Sequence, residues 1–195
     1  MGLFELGGRN FTHAFDALAK LHSFQFSGGS DQVLFNAQFV KSNFYKDSIS
    51  KGQLAPYLVM GDLDPPLSMF ERLQILYNGI DNTNVNVVLY GGQTVHALSD
   101  FWHTYQIDPL SLDTIQAVAP PLPNSGFTFG PVPSCAHPVK EYGTSNFINY
   151  YSLINPFSHH SINVVRIKSS SDTELIASIP REDVPYMHSL AATQD

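Results

Sequence analysis

Eight histidines and one cysteine are the side chains of this sequence whose chemistry could reach beyond packing. His13 and His22 lie in the N-terminal segment, His96 and His103 in a region of regular alternation, and His159 and His160 in a polar loop. His137 stands in Ser134-Cys135-Ala136-His137-Pro138, and His188 in Pro185-Tyr186-Met187-His188-Ser189. These two share a setting: a short apolar lead-in, then a histidine near a strand end. Neutral imidazole is the commonest protein ligand for a metal and suits Fe, Zn, Cu and Ni. The competing reading of any one histidine is a hydrogen-bonded structural side chain, and spacing alone does not separate the two. Cys135 precedes His137 by two residues, which on a strand would put thiol and imidazole on one face. A lone cysteine is more often a small core residue than a nucleophile. Other chemistry has no signature here: the sequence contains no G-x-S-x-G, P-loop, G-x-G-x-x-G or H-E-x-x-H motif.

The elements that must carry these residues read mostly as strands, because alternation with period 2 recurs and helical periodicity is scarce. Leu21, Phe24 and Phe26 lead into Ser27-Gly28-Gly29-Ser30, and Val33, Phe35, Ala37 and Phe39 alternate after it, which predicts a hairpin. A looser stretch follows Tyr45. Between Leu67 and Ile80 the apolar residues Leu67, Phe70, Leu73 and Leu76 recur every three, predicting a short amphipathic or 3₁₀-like helix closed by Asn78-Gly79. Strands are then expected at Val85–Tyr90, Thr94–Leu98, Thr104–Ile107 and Leu112–Val118. A less regular set follows at Phe127–Phe129, Phe147–Tyr151, Ile162–Ile167 and Glu174–Ile179, the last two joined by the polar tip Lys168–Asp172. Four short strands with turns every ten or so residues are what a propeller blade looks like in sequence. The fold class expected is therefore all-β with strands for about two to three blades, either a smaller β architecture or a partial β-propeller cut from a larger protein.

Composition narrows the partners. Of 195 residues 14% are charged and 12% aromatic, and the net charge is -7. Disorder needs high charge and few aromatics, so it is excluded. Ten scattered Lys and Arg give no electrostatic grip on nucleic acid. No apolar run reaches the roughly 18 residues of a membrane span. Met1 to Asn10 lacks a basic region followed by an apolar stretch, so no signal peptide is expected. A single cysteine forbids an internal disulfide and fits a reducing compartment, so the expected location is cytoplasmic.

Several segments in collinear order resemble the carotenoid cleavage oxygenases, in the animal branch that includes the retinoid isomerohydrolase of the visual cycle. They are Gly2-Leu3-Phe4-Glu5, Phe11 to His22, Phe39-Val40-Lys41-Ser42-Asn43-Phe44-Tyr45, Asp81 to Val88, Gly91 to Asp100, Ile107-Asp108-Pro109-Leu110-Ser111-Leu112-Asp113-Thr114, Ala136-His137-Pro138 and Tyr186-Met187-His188-Ser189. The resemblance implies a seven-bladed propeller whose centre holds a non-haem Fe(II) on four histidines. It implies a dioxygenase that takes a carotenoid or retinoid polyene and O₂ and gives two carbonyl products.

By position, His137 and His188 resemble the first and second of the iron ligands, and Asp100 resembles a glutamate that orients a ligand histidine in the family. The third and fourth ligands have no counterpart in this sequence. Residues 1–195 are accordingly expected to be the N-terminal part of a single propeller domain, without cleavage activity by themselves. The alternative is a non-catalytic truncated paralogue or splice product that binds an apolar ligand. Met69, Phe70, Leu73 and Leu76, with Ile75, match a region that in membrane-associated family members docks on the bilayer. Here they are either such a peripheral membrane and substrate-entry patch or a helix face packed on the propeller. Ala14 and Ala17 replace a Trp and a Gly of the family pattern, and the segment after Pro138 is shorter than usual.

Overall fold

The computed structural model describes residues 2–29, 31–124, 126, 128 and 130–193. The chain divides into two compact units, residues 1–84 with 107–116 and residues 85–106 with 117–195.

In the first unit β1 (Glu5–Leu6) and β2 (Arg9–Phe11) form a small antiparallel pair, and β3 (Lys20–Phe26) and β4 (Val33–Phe39) form the expected hairpin, with Phe24 opposite Phe35 and Phe26 opposite Val33. Helix α1 (Asn43–Lys51) follows, then β5 (Leu63–Asp64), which pairs with β2, and helix α2 (Met69–Asn78). Phe11, Leu18, Phe44, Leu54, Tyr57 and Leu63 make the core, with the Phe44 ring stacked on Tyr57 at 4.8 Å. Asn82 holds this unit from below the surface. Its side chain accepts from the Ala19 N–H and donates to the carbonyls of Asp16 and Ala17.

Helix α1 occupies the stretch that the sequence pattern reads as loose. Of its nine residues only Phe44 and Ser48 are buried, so it carries almost no apolar rhythm. Its ends are fixed by local capping. The Ser42 hydroxyl accepts from the Tyr45 N–H, and Gly52 closes the last turn at φ 64°, a left-handed conformation that glycine adopts without strain. Helix α2 matches the expectation over 67–80. Ser68 and Glu71 form a reciprocal capping box at its start. Glu71 also receives Arg9 at 2.8 Å, and that charge-assisted bond holds the Glu71 carboxyl down to about 2. No residue of α2 is buried: Met69 is 85% exposed and Leu76 81%, and Phe70, Leu73 and Tyr77 are exposed as well. No described helix is long and apolar enough to cross a membrane.

The first, regular set of strands forms, and so do the last three strands of the less regular second set, which a short strand at Val139–Lys140 joins at a place where no strand was expected. β6 (Asn86–Tyr90), β7 (Thr94–Leu98), β8 (Thr104–Ile107) and β9 (Thr114–Val118) make a four-stranded sheet in sequential order. β9 starts two residues later than expected. Leu112 sits at φ 63° in a turn that the Asp108 carboxylate organises by accepting from the Leu110 and Ser111 N–H groups. The second sheet runs β10 (Val139–Lys140), β11 (Phe147–Leu153), β12 (His160–Ser169) and β13 (Asp172–Arg181), antiparallel throughout. Its last two strands extend into the predicted polar tip, leaving only Ser170 and Ser171 in the turn. Phe127 and Phe129, which bound an expected strand, lie outside the described residues. Two sequential four-stranded sheets and a further hairpin are the two to three blades of a partial β-propeller.

In the second unit Tyr90, Leu98, Trp102, Tyr151, Val165 and Ile167 form the core. β12 buries Asn163, Val165 and Ile167 in alternation, the period-2 pattern of a strand with one face inward. The Trp102 indole N–H donates to the Pro120 carbonyl at 2.7 Å, which satisfies its polar end inside that core.

Candidate metal centre

His137 lies on a short extended segment, Pro133–His137, whose backbone is tied down residue by residue. Pro133 bridges Phe101, and Ser134 bridges Tyr151. The Ser134 N–H donates to the Asp100 carbonyl at 2.9 Å, and the Ser152 N–H to the Pro133 carbonyl at 2.9 Å. Asn149 donates to the Cys135 carbonyl at 3.0 Å and Asn86 to the Ala136 carbonyl at 2.9 Å. With so many fixed partners the loop has almost no freedom to move the imidazole. His188 arrives from the other end of the sequence. Ser189 bridges His137 in parallel, and the Tyr150 hydroxyl donates to the Met187 carbonyl at 2.7 Å.

The two rings meet. Nε2 of His137 and Nε2 of His188 stand 3.1 Å apart, with the rings nearly perpendicular at 76°. Behind His188, Nδ1 lies 3.0 Å from Oδ2 of Asp100. The other oxygen of that carboxylate accepts from the Ala136 N–H at 3.1 Å, and the Tyr186 hydroxyl donates to Oδ2 at 2.6 Å. That bond to a carboxylate keeps the Tyr186 proton in place and pushes its pKa up to about 12. A carboxylate accepts only, so the proton on His188 belongs on Nδ1 and the Nε2 lone pair faces His137.

This donor set fits a metal. An imidazole nitrogen sits about 2.0–2.1 Å from a bound ion, so two of them at right angles on one ion stand about 3 Å apart. Asp100 stands behind the His188 ring, where a carboxylate would fix the tautomer of a ligating histidine. Among the described residues no group of three or more His, Cys, Asp or Glu side chains is arranged to hold a metal, so an ion at this pair would find two imidazole donors.

The remaining histidines take the structural reading. Nδ1 of His13 accepts from the Phe15 N–H, His22 lies against Phe35, and His103 is edge-on to Tyr105. His159 pairs with Glu182 at the surface, and Nδ1 of His160 accepts from the Asn155 N–H. His96 is wholly buried between two threonines. The Thr104 hydroxyl gives its proton to the Val118 carbonyl, so His96 Nδ1–H donates to Thr104 and Nε2 accepts from Thr94. Burial keeps this ring neutral and lowers its pKa to about 4.

Cys135 is not placed for nucleophilic chemistry. Its Sγ donates to the His188 carbonyl at 2.9 Å and accepts from the His137 N–H at 3.2 Å, and burial pushes the thiol pKa up. It couples the two histidine segments through their backbones. Sequence reasoning did not reach Tyr186 or Tyr150, whose only mark was proximity to His188 for the first and membership of a strand for the second.

A family model described as RPE65, retinal pigment epithelial membrane protein, matches residues 1–195. The chain belongs to the RPE65 carotenoid oxygenase family. Among its relatives the mitochondrial carotenoid-cleaving dioxygenase of Homo sapiens is 32% identical over 100 residues, covering 47% of this chain and 17% of that protein. The beta,beta-carotene 15,15'-dioxygenase of Gallus gallus is 28% identical over 124 residues, covering 60% of this chain and 23% of that protein. Solved structures of the family fold align as well. A cobalt-substituted Synechocystis apocarotenoid oxygenase superposes with a TM-score of 0.62 at 19% identity, covering 92% of this chain and 37% of that one. A chimera of that oxygenase with RPE65 gives 0.59 at 18% identity over the same shares. The chain thus spans about a fifth of the curated family members it matches and just over a third of the solved ones.

Proposed function

We propose that this chain contributes His137 and His188 as two ligands of a mononuclear Fe(II) centre, in an oxygenase that cleaves a conjugated double bond of a carotenoid or retinoid. The observation that carries it is the meeting of two imidazole Nε2 atoms 3.1 Å apart from positions 51 residues apart, one of them backed by a carboxylate. Cleaving relatives and a cobalt-holding structural neighbour within the family support the same reading. When bound, the iron supplies the activation of O₂ toward the polyene. The chain's own part is to present two neutral lone pairs, to keep the His188 proton on Nδ1, and to hold both rings on fixed backbone. Two imidazoles are fewer than the three protein ligands of a facial-triad iron site. The 195-residue chain by itself therefore holds iron weakly and does not turn over substrate.

Titration of the purified chain with Fe(II) and Co(II), with β-carotene turnover assayed alongside, tests this. Weak binding that disappears in His137→Ala and His188→Ala supports it. Binding that ignores both substitutions overturns the ligand assignment, and tight stoichiometric iron with turnover overturns the two-ligand limit. A second reading, a non-catalytic chain that binds an apolar ligand, is favoured by the presence of only two converging imidazoles among the described residues. It expects both substitutions to change nothing.

The exposed apolar face of α2 supports a peripheral membrane contact through Met69, Phe70, Leu73 and Leu76, which would let a lipophilic substrate pass from bilayer to protein.

A further inference from the structure

We infer that Tyr186 is a positioning residue: its hydroxyl locks the Asp100 carboxylate that orients His188, and through it sets which nitrogen of His188 is free to bind a metal. This rests on the metal reading of the His137–His188 pair and names a further part of that site.

Three distances form a closed triangle. Tyr186 OH to Asp100 Oδ2 is 2.6 Å, His188 Nδ1 to the same oxygen is 3.0 Å, and Tyr186 OH to His188 Nδ1 is 3.2 Å. A phenol at neutral pH has one proton to give. The shortest side of the triangle runs to an ionised oxygen, the strongest acceptor present, so the proton goes to Asp100. The phenol oxygen then has only lone pairs to offer Nδ1. Both groups near Nδ1 are acceptors, and together they demand Nδ1–H.

Apart from the His188 ring that it has to orient, the carboxylate would otherwise be held at one point. Oδ1 is fixed by the Ala136 N–H at 3.1 Å, which leaves rotation about that contact. The Tyr186 hydroxyl supplies a second fixed point on Oδ2 and stops that rotation. Asp100 thereby joins the residue that precedes His137 to the residue two before His188, and one carboxylate sets the position of both rings. The Tyr186 ring is itself 69% exposed, so the hydroxyl, and not packing of the ring, is what the site uses.

The test is Tyr186→Phe, which keeps the exposed ring and removes only the hydroxyl, with Asp100→Asn and the double variant beside it. Long-range ¹H–¹⁵N spectra of the metal-free 195-residue chain report the tautomer of His188, and titration with Co(II) reports metal affinity. Wild type is expected to show His188 as the Nδ1–H form. Tyr186→Phe is expected to raise the Nε2–H share several-fold and to weaken Co(II) binding about tenfold. Asp100→Asn moves both further, and adding Tyr186→Phe to it changes nothing more, because the tyrosine acts through the carboxylate. An unchanged tautomer ratio in Tyr186→Phe overturns the inference, as does an additive double variant. If the tautomer responds while wild type takes up no Co(II), the positioning role stands and the metal reading falls.

Discussion

His137 and His188 point the same nitrogen at each other, Nε2 to Nε2 at 3.1 Å, and a structural hydrogen bond alone does not require the carboxylate that stands behind one of them. In the metal-free chain His137 Nε2–H donates to the His188 lone pair, and to ligate a metal through Nε2 the neutral His137 ring would carry its proton on Nδ1 instead. His137→Ala and His188→Ala are each expected to cut Co(II) affinity at least about a hundredfold, since each removes half of the ligands present. Circular dichroism should stay that of the wild type, because both rings lie at the edge of the fold. Isothermal titration of the two variants against wild type checks this, and equal affinities in all three would defeat the pairing.

Cys135 is predicted to be structural. Cys135→Ala leaves the His188 carbonyl and the His137 N–H without their shared partner and should cost about 1–3 kcal/mol in urea unfolding. The native thiol, buried and with its pKa raised, should react with iodoacetamide far more slowly than a free cysteine at pH 7.5. Alkylation as fast in the native chain as in urea would contradict the placement.

His96 gives the second unit an acid-side weakness. Its pKa is about 4 in the folded chain, against an ordinary value of 6.5, so the unfolded chain binds the proton first. Its contribution is fully present above pH 6.5 and is lost progressively as pH falls from there toward 4. The shift corresponds to about 3 kcal/mol at order-of-magnitude level. Unfolding midpoints measured between pH 7 and 4 should fall, and His96→Gln should flatten that slope while lowering stability at pH 7.

Glu71 adds a second threshold of the same sign at lower pH. Arg9 and the Ser68 cap hold its carboxyl at about 2, so its contribution is present above the ordinary value of 4.5 and disappears as pH drops toward 2. Glu71→Ala removes both the cap and the partner of a buried guanidinium, at a cost of about 3 kcal/mol. Urea unfolding at pH 7 and 3 reads both effects. The variant should lose the part of the pH dependence that lies below pH 4.5 and keep the part that His96 sets above it.

The face of α2 should bind lipid through apolar burial rather than charge. Net charge is -7, and Lys51 and Arg72 are the basic residues near the patch, so vesicles of neutral phosphatidylcholine should bind about as well as anionic ones, with little response to salt. Leu73→Glu with Leu76→Glu should abolish co-sedimentation with these vesicles. Retention by the double variant would assign the face to packing instead.

Much of this chain was legible before folding. The strands at 94–98 and 104–107 fall where the sequence predicts them, set off by the turn residues Gly91-Gly92 and Asp108-Pro109. Helix α1 was not legible from periodicity, since its buried face is two residues wide and one of them is a serine. His137 and His188 could be picked from eight histidines only through the family motif. Their types and spacings are no different from those of His96, which turns out to sit neutral between two threonines.

The sequence by itself determined the all-β class, the short α2 helix and the family, and pointed to His137, His188 and Asp100 as candidate site residues. Their convergence was decided only in three dimensions. Strand pairing places residue 101 beside residue 133 and residue 137 beside residue 189, and no local pattern records such contacts. The proton on His188 Nδ1, the Tyr186 hydroxyl on Asp100 and the Cys135 thiol on the His188 carbonyl follow from those pairings. Hydrogen bonds need partners within about 3 Å, and only the folded chain brings groups from distant positions that close.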